Sequence, residues 1–246
     1  MRTLTRTLLL LVIALVCAPA LAQDQGKAPL PRVLVLGDSV YNDLSRSVAT
    51  ELKGRVEVVY ARWEQEEVAN TSTALAHLDR LLGYLDRDGK PLPKDKRPVW
   101  DLIHVNFGLG DLIYRAPGMK SFRVMPIHAG GVRTTPVDQY EANLHELIKR
   151  LKDTGARIVW ASTTPIRASR SNIFKVGSEV AYNEIAAKVM AGHGVPINDM
   201  HAYAKARMDM DKPAGFGADP FHFDNAPLHE PVTDVIVEHI GIDFNR

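Results

Sequence analysis

The feature that most constrains the fold of this chain is a series of short apolar runs, each closed by a turn residue or a polar break. The first, Arg32-Val-Leu-Val-Leu36, stops at Gly37. Others follow at residues 56–60, 102–107 and 157–161, with a weaker one at 195–197. Runs this short, apolar on both faces, are the pattern of strands buried on both sides of a sheet. Between them the apolar residues change to helical spacing. Leu44, Val48 and Leu52 share one face; Leu75, Leu78, Leu81, Leu82 and Leu85 form a second stripe; Leu144, Leu147, Ile148 and Leu151 form a third. Further helices are predicted over residues 179–190 and 232–240. Strands alternating with helices of this length imply right-handed βαβ units and one parallel sheet of about five strands, covered on both faces. In such sheets the site forms in loops at the carboxyl ends of the strands. Two segments, 86–98 and 114–136, are long and irregular. The second begins just past a strand end, and either walls the site or is an ordinary surface excursion.

Length and charge narrow the class. The 246 residues, 46% hydrophobic and 24% charged, suit a single domain with a sizeable core. Thirty basic residues stand against 29 acidic ones, a formal net charge of +1, so no electrostatic argument favours nucleic acid or an anionic membrane as partner. At the N-terminus Arg2 and Arg6 precede an apolar run over 8–16, and Ala20-Leu21-Ala22 supplies small residues before Gln23. A basic start, a short apolar middle and an A-x-A end describe a secretory signal peptide over 1–22. The domain then occupies 23–246, and the mature protein is expected in the periplasm or outside the cell. The apolar run is too short to serve well as a membrane anchor, so no membrane insertion is expected after cleavage. Cys17 is the only cysteine, so the mature chain has no disulfide, no thiol nucleophile and no cysteine-built zinc site. No two histidines sit at a ligand-like helical spacing around an acidic base, and no metal is expected.

The residues that carry chemistry lie near the two ends of the domain. Gly37-Asp38-Ser39 falls at the end of the first strand, immediately before a helix. A serine there presents its hydroxyl at the sheet edge, and its N–H belongs to the unsatisfied first turn, where negative charge is stabilised. Serines at such positions also simply cap helices, and the tripeptide alone does not separate the two roles. Asp219-Pro-Phe-His222 precedes the last helix. A serine hydroxyl needs a base to accept its proton, a histidine suits that work near neutral pH, and a carboxylate fixes the histidine's tautomer. An Asp and a His three residues apart are also often unrelated surface residues. Trp63, Trp100 and Trp160 are scattered; core packing and a sugar platform are both open to them, and core packing is the better account.

Taken together, these segments resemble the SGNH/GDSL hydrolase family. Val-Leu-Gly37-Asp-Ser39 matches its first block, Gly108-Leu-Gly-Asp111 its third, and Asp219-x-x-His222 its last, in the family's order across nearly the whole mature chain. Asn106-Phe-Gly-Leu-Gly-Asp111, Tyr140-Glu-Ala-Asn-Leu144 and Thr163-Thr-Pro165 are similar to an environmental bacterial subgroup whose third block reads N-F-G-L-H-D. The resemblance implies a flavodoxin-like three-layer α/β/α sandwich and an exported serine esterase acting on a small-molecule or glycan ester without a cofactor. Ser39 would attack the carbonyl, His222 would act as base and then acid, and Asp219 would orient His222. The oxyanion hole would draw on the Ser39 N–H, with Asn70 and Gly110 as further candidates. Gly110 stands where the family has a side-chain donor, and losing such a donor costs roughly 3 kcal/mol of transition-state stabilisation. The second block normally contributes a glycine, whereas here the stretch reads Glu67-Val-Ala-Asn70-Thr71. Replacement by the Asn70 side chain, by main-chain N–H groups of Ala69 or Asn70, or by the Gly110 N–H are all open. So is a catalytically impaired protein of the same fold that binds carbohydrate or serves as a scaffold. A flavodoxin-like nucleotide or flavin binder is disfavoured by the absence of a Gly-rich phosphate loop after the first strand.

Overall fold

The computed structural model describes residues 29–64, 67–119, 121–212 and 223–244. The proposed signal peptide over 1–22, and with it Asp219 and His222, lie outside the described residues. In chain order the elements are β1 (Arg32–Leu36), α1 (Ser39–Glu51), β2 (Glu57–Tyr60), α2 (Thr71–Ala76), α3 (Leu78–Leu81), β3 (Leu102–Val105) and α4 (Leu109–Leu112). They continue with β4 (Tyr114–Arg115), β5 (Val132–Arg133), α5 (Val137–Lys152), β6 (Arg157–Ala161), α6 (Ser178–His193), β7 (Ile197–Asn198), α7 (Met200–Lys205) and α8 (His229–Ile240).

Five strands form one sheet in the order β2-β1-β3-β6-β7, with parallel pairing throughout. Alternation along the strands decides which helix covers which face. Leu34, Leu36, Ile103, Val105 and Trp160 pack into a core with α2, α3, α5 and α6. Val33, Val35, Leu102, Val159 and Ala161 pack into a second core with α1, α7 and α8. The result is a three-layer α/β/α sandwich. No helix among the described residues is long and apolar enough to cross a membrane.

The predicted second helical stripe is the main local departure. It divides into α2 and α3 at His77, and Leu85 pairs in an isolated bridge with Pro91 instead of continuing the helix. Leu78, Leu81 and Leu82 are still buried, so the apolar stripe is satisfied by two short helices in place of one. The segment 114–136 also has structure of its own, an antiparallel ribbon of β4 and β5 with a 3₁₀ turn at Ile127–Ala129. Strand order reverses between β1 and β3, the place where open parallel sheets leave a crevice.

Candidate active site

Two strand ends meet at that crevice. At the end of β1, Asp38 is the N-cap of α1 and its Oδ1 accepts the Val40 N–H at 3.0 Å. Ser39 is the first helical residue and is exposed. The turn is pinned from β2: Trp63 donates its indole N–H to the Gly37 carbonyl at 2.7 Å, and the Tyr60 hydroxyl donates to the Asp38 carbonyl at 3.0 Å. The backbone that presents Ser39 is therefore held by side chains from a neighbouring strand end.

At the end of β3, the loop into α4 is packed without slack. A Cβ on Gly108 would lie 1.9 Å from Thr163 Oγ1, and a Cβ on Gly110 would lie 2.2 Å from the Ala69 carbonyl oxygen. Glycine at 110 is thus what lets the backbones of the second and third blocks touch. The side-chain donor expected there by resemblance has no room in this arrangement. Asp111 ties the same two segments together, accepting the Thr71 N–H at 3.1 Å and the Thr71 hydroxyl at 2.6 Å. Tyr140 and Asn143 brace them from α5, through the Phe107 carbonyl at 2.8 Å and Thr71 Oγ1 at 2.9 Å.

Ser39, Ala69 and Gly110 line one cavity of about 640 Å³. The N–H groups of all three find no acceptor among the described residues. Asn70 is placed otherwise. It is buried and N-caps α2, with Oδ1 accepting the Thr73 N–H at 2.8 Å and its own N–H donating to the Val68 carbonyl. It is not among the residues that line the cavity. Ser39 also borders a second depression of about 480 Å³, with Leu44, Phe223, Ala226, Leu228 and His229.

Two carboxyls at the crevice are displaced from their ordinary values. Burial pushes Asp38 up to about 7, against the Val40 hydrogen bond, with the neighbouring Asp111 adding to the rise. Burial pushes Asp111 up to about 6 in spite of its hydrogen bonds from Thr71 and Thr135. Among the described residues no group of three or more His, Cys, Asp or Glu could hold a metal ion.

Some lining residues were not assigned to the site from the sequence. Core packing holds for Trp100 and Trp160, which are buried, but Trp63 is only partly buried, sits just past the end of β2 edge-to-face on Phe107, and lines the cavity. Arg46 is another, and its signal was available: Ser39, Asn42 and Arg46 recur at i, i+3 and i+7 on one helix face. The excursion over 114–136 contributes no described residue to the cavity; its neighbour Ile113 does.

This architecture is shared with solved ester hydrolases. A lipase/acylhydrolase from Enterococcus faecalis aligns with a TM-score of 0.55 at 14% identity, over 88% of this chain and all of its own. An acetylxylan esterase from Geobacillus stearothermophilus aligns at 0.54 and 14% identity, over 88% of this chain and 96% of its own. A putative SGNH hydrolase from Slackia heliotrinireducens aligns at 0.52 and 16% identity, over 85% of this chain and 100% of its own. The fold is thus that of the SGNH hydrolases. No protein-family model and no curated protein matches the sequence.

Proposed function

We propose that this protein is an exported serine ester hydrolase, with Ser39 as nucleophile, His222 as general base and then acid, and Asp219 as the group that orients His222. The observation that carries the reading is the setting of Ser39. It is exposed at the first turn of α1, at the sheet's switch point, in a cavity that also receives the N–H-bearing backbones of Ala69 and Gly110. In the reaction the Ser39 oxygen attacks the ester carbonyl while His222 takes the hydroxyl proton. The main-chain N–H groups of Ser39, Ala69 and Gly110 then receive the oxyanion, in place of a side-chain donor at 110. His222 returns the proton to the departing alcohol, and water repeats the sequence on the acyl-enzyme. Support for His222 comes from the chain just after it: Phe223 borders the same depression as Ser39.

A fluorophosphonate probe tests the assignment. The folded protein is expected to be labelled at Ser39 alone, with hydrolysis of 4-nitrophenyl acetate falling by on the order of 10⁴-fold in Ser39→Ala and labelling falling sharply in His222→Ala. Label on another serine, or equal labelling of denatured protein, overturns it. The second reading, a catalytically impaired binder of the same fold, is favoured by the missing side-chain donor at Gly110. It predicts a folded protein that neither reacts with the probe nor turns over ester.

A further inference from the structure

We infer that the cavity beside Ser39 takes an ester whose acyl or alcohol part carries a carboxylate, held by Arg46 and Arg62. This deepens the esterase reading and rests on it for the hydrolytic step. Both arginines line the cavity with Ser39, Arg46 from the same face of α1 and Arg62 from just past the end of β2. The base of Arg62 is fixed, since its carbonyl accepts from Arg80 at 3.1 Å and the adjacent Trp63 is bonded to Gly37.

The charge balance along the cavity decides the sign of the ligand. Glu67 also lines it, but its carboxylate is taken by Arg80 at 2.5 Å and faces His77 at 3.4 Å. Asp38 is buried against the start of α1 and its Oδ1 is engaged by Val40. Neither is a partner of the two arginines. Arg46 meets Asp43 at 3.1 Å, but those side chains are 71% and 84% exposed, so water and salt screen the pair and a substrate anion can displace it. Arg62 has no ion pair among the described residues. The remaining lining residues, among them Asn42, Val68, Leu109 and Phe174, are uncharged. A guanidinium fork matches a carboxylate with two parallel hydrogen bonds. Hydrolysis itself is unchanged: ester and water give acid and alcohol, and the existing carboxylate serves only for binding.

The test compares matched esters on the full-length purified protein. For the acyl side the pair is 4-nitrophenyl hemisuccinate and 4-nitrophenyl acetate. For the alcohol side it is acetylated trigalacturonate and acetylated xylotriose. In at least one pair the anionic ester is expected to be preferred about tenfold or more in kcat/KM at low salt, mostly through KM, and the arm that shows it names the side that bears the carboxylate. The preference is expected to shrink in high salt and to fall severalfold in the Arg46→Gln/Arg62→Gln double variant. Active protein with no preference in either arm, or one that the double variant keeps, overturns the inference and leaves the esterase reading standing. If the folded protein cleaves no ester, the esterase reading falls, and calorimetry with unacetylated trigalacturonate against xylotriose decides the inference. Binding of the acidic sugar that the double variant loses supports it; equal binding of both sugars, or none, overturns it.

Discussion

Asp38, the N-cap of α1 just beyond β1, and Asp111, inside α4 after the neighbouring strand β3, are both sealed from solvent at 4% and 0% exposure. Their surroundings differ. Asp111 receives an N–H and a hydroxyl from Thr71, and Thr135 adds a further bond. Asp38 receives one N–H on Oδ1, and its Oδ2 has no partner among the described residues. Burial raises both, Asp38 further. A buried carboxyl whose oxygens are satisfied acts as a brace. One left half-satisfied at a cavity wall is a store of electrostatic cost, and such costs collect at functional sites. On this comparison Asp111 ties the segments that carry Thr71 and Gly110 together from behind, and Asp38 is the half-satisfied carboxyl at the cavity wall.

The largest effect expected is from Asp111→Ala. It leaves the Thr71 N–H and hydroxyl without their acceptor in a dry site and opens a void between α2 and α4. A loss of about 3 kcal/mol in unfolding free energy is expected from denaturant titration, because orphaned buried donors carry their full desolvation cost. Asp111→Asn keeps one acceptor oxygen and should lose less than half of that. Equal losses from the two would mean that Asp111 is not the brace described.

Gly110→Asn comes next. Judged from resemblance alone, this change would restore a donor; judged from the packing, it drives a Cβ against the Ala69 carbonyl. Backbone cannot yield as a flexible side chain can, so a cost of about 1–3 kcal/mol is expected, as for overpacking. The kcat for 4-nitrophenyl acetate should fall with it, since Ala69 and Gly110 are displaced together. A gain in kcat at undiminished stability would show that the two segments are free to separate and that the hole lacks a side-chain donor after all.

How much of this was legible in the sequence follows from the range of the interactions. The sheet was legible because burial on both faces writes apolar runs directly into 32–36, 102–105 and 157–161. The turn at Gly37-Asp38-Ser39 was legible as a strand end that leads into a helix, but the tripeptide alone did not separate a nucleophile from a helix cap. The break at His77 was not, since the apolar spacing runs through it and the two short helices bury the same stripe. The role of Gly110 was hidden for a different reason. It depends on a contact with Ala69, forty-one positions earlier, and no local pattern reports a backbone approach between distant segments. The part played by Tyr140 and Asn143 was visible only as a resemblance in wording; their hydrogen bonds to Phe107 and Thr71 supply its physical content.

The smallest and most discriminating change is Asp38→Asn. Asparagine caps a helix about as well as aspartate, so the start of α1 and the position of Ser39 should be kept. What changes is the proton. In the wild type the folded carboxyl titrates at about 7 against 3.8 when unperturbed. Below 3.8 both states are protonated and the environment costs nothing. Between about 4 and 7 the unfolded chain gives up the proton while the folded chain keeps it, so stability falls as pH rises, by at most roughly 1.4 kcal/mol per pH unit, and levels off above 7. Asp111 has the same sign over a narrower window and is present in both proteins, so the difference between them reports Asp38. Urea midpoints at pH 4, 6 and 8 should start together and then diverge in favour of the variant. Parallel curves would place Asp38 in a more polar setting than its unpartnered Oδ2 implies. The same charge borders the cavity where an oxyanion on the Ser39 adduct would form, and like charges there oppose each other. The variant should therefore hold its kcat/KM above pH 7 better than the wild type, and a decline of equal steepness in both would remove Asp38 from the electrostatics of the site and leave it a helix cap.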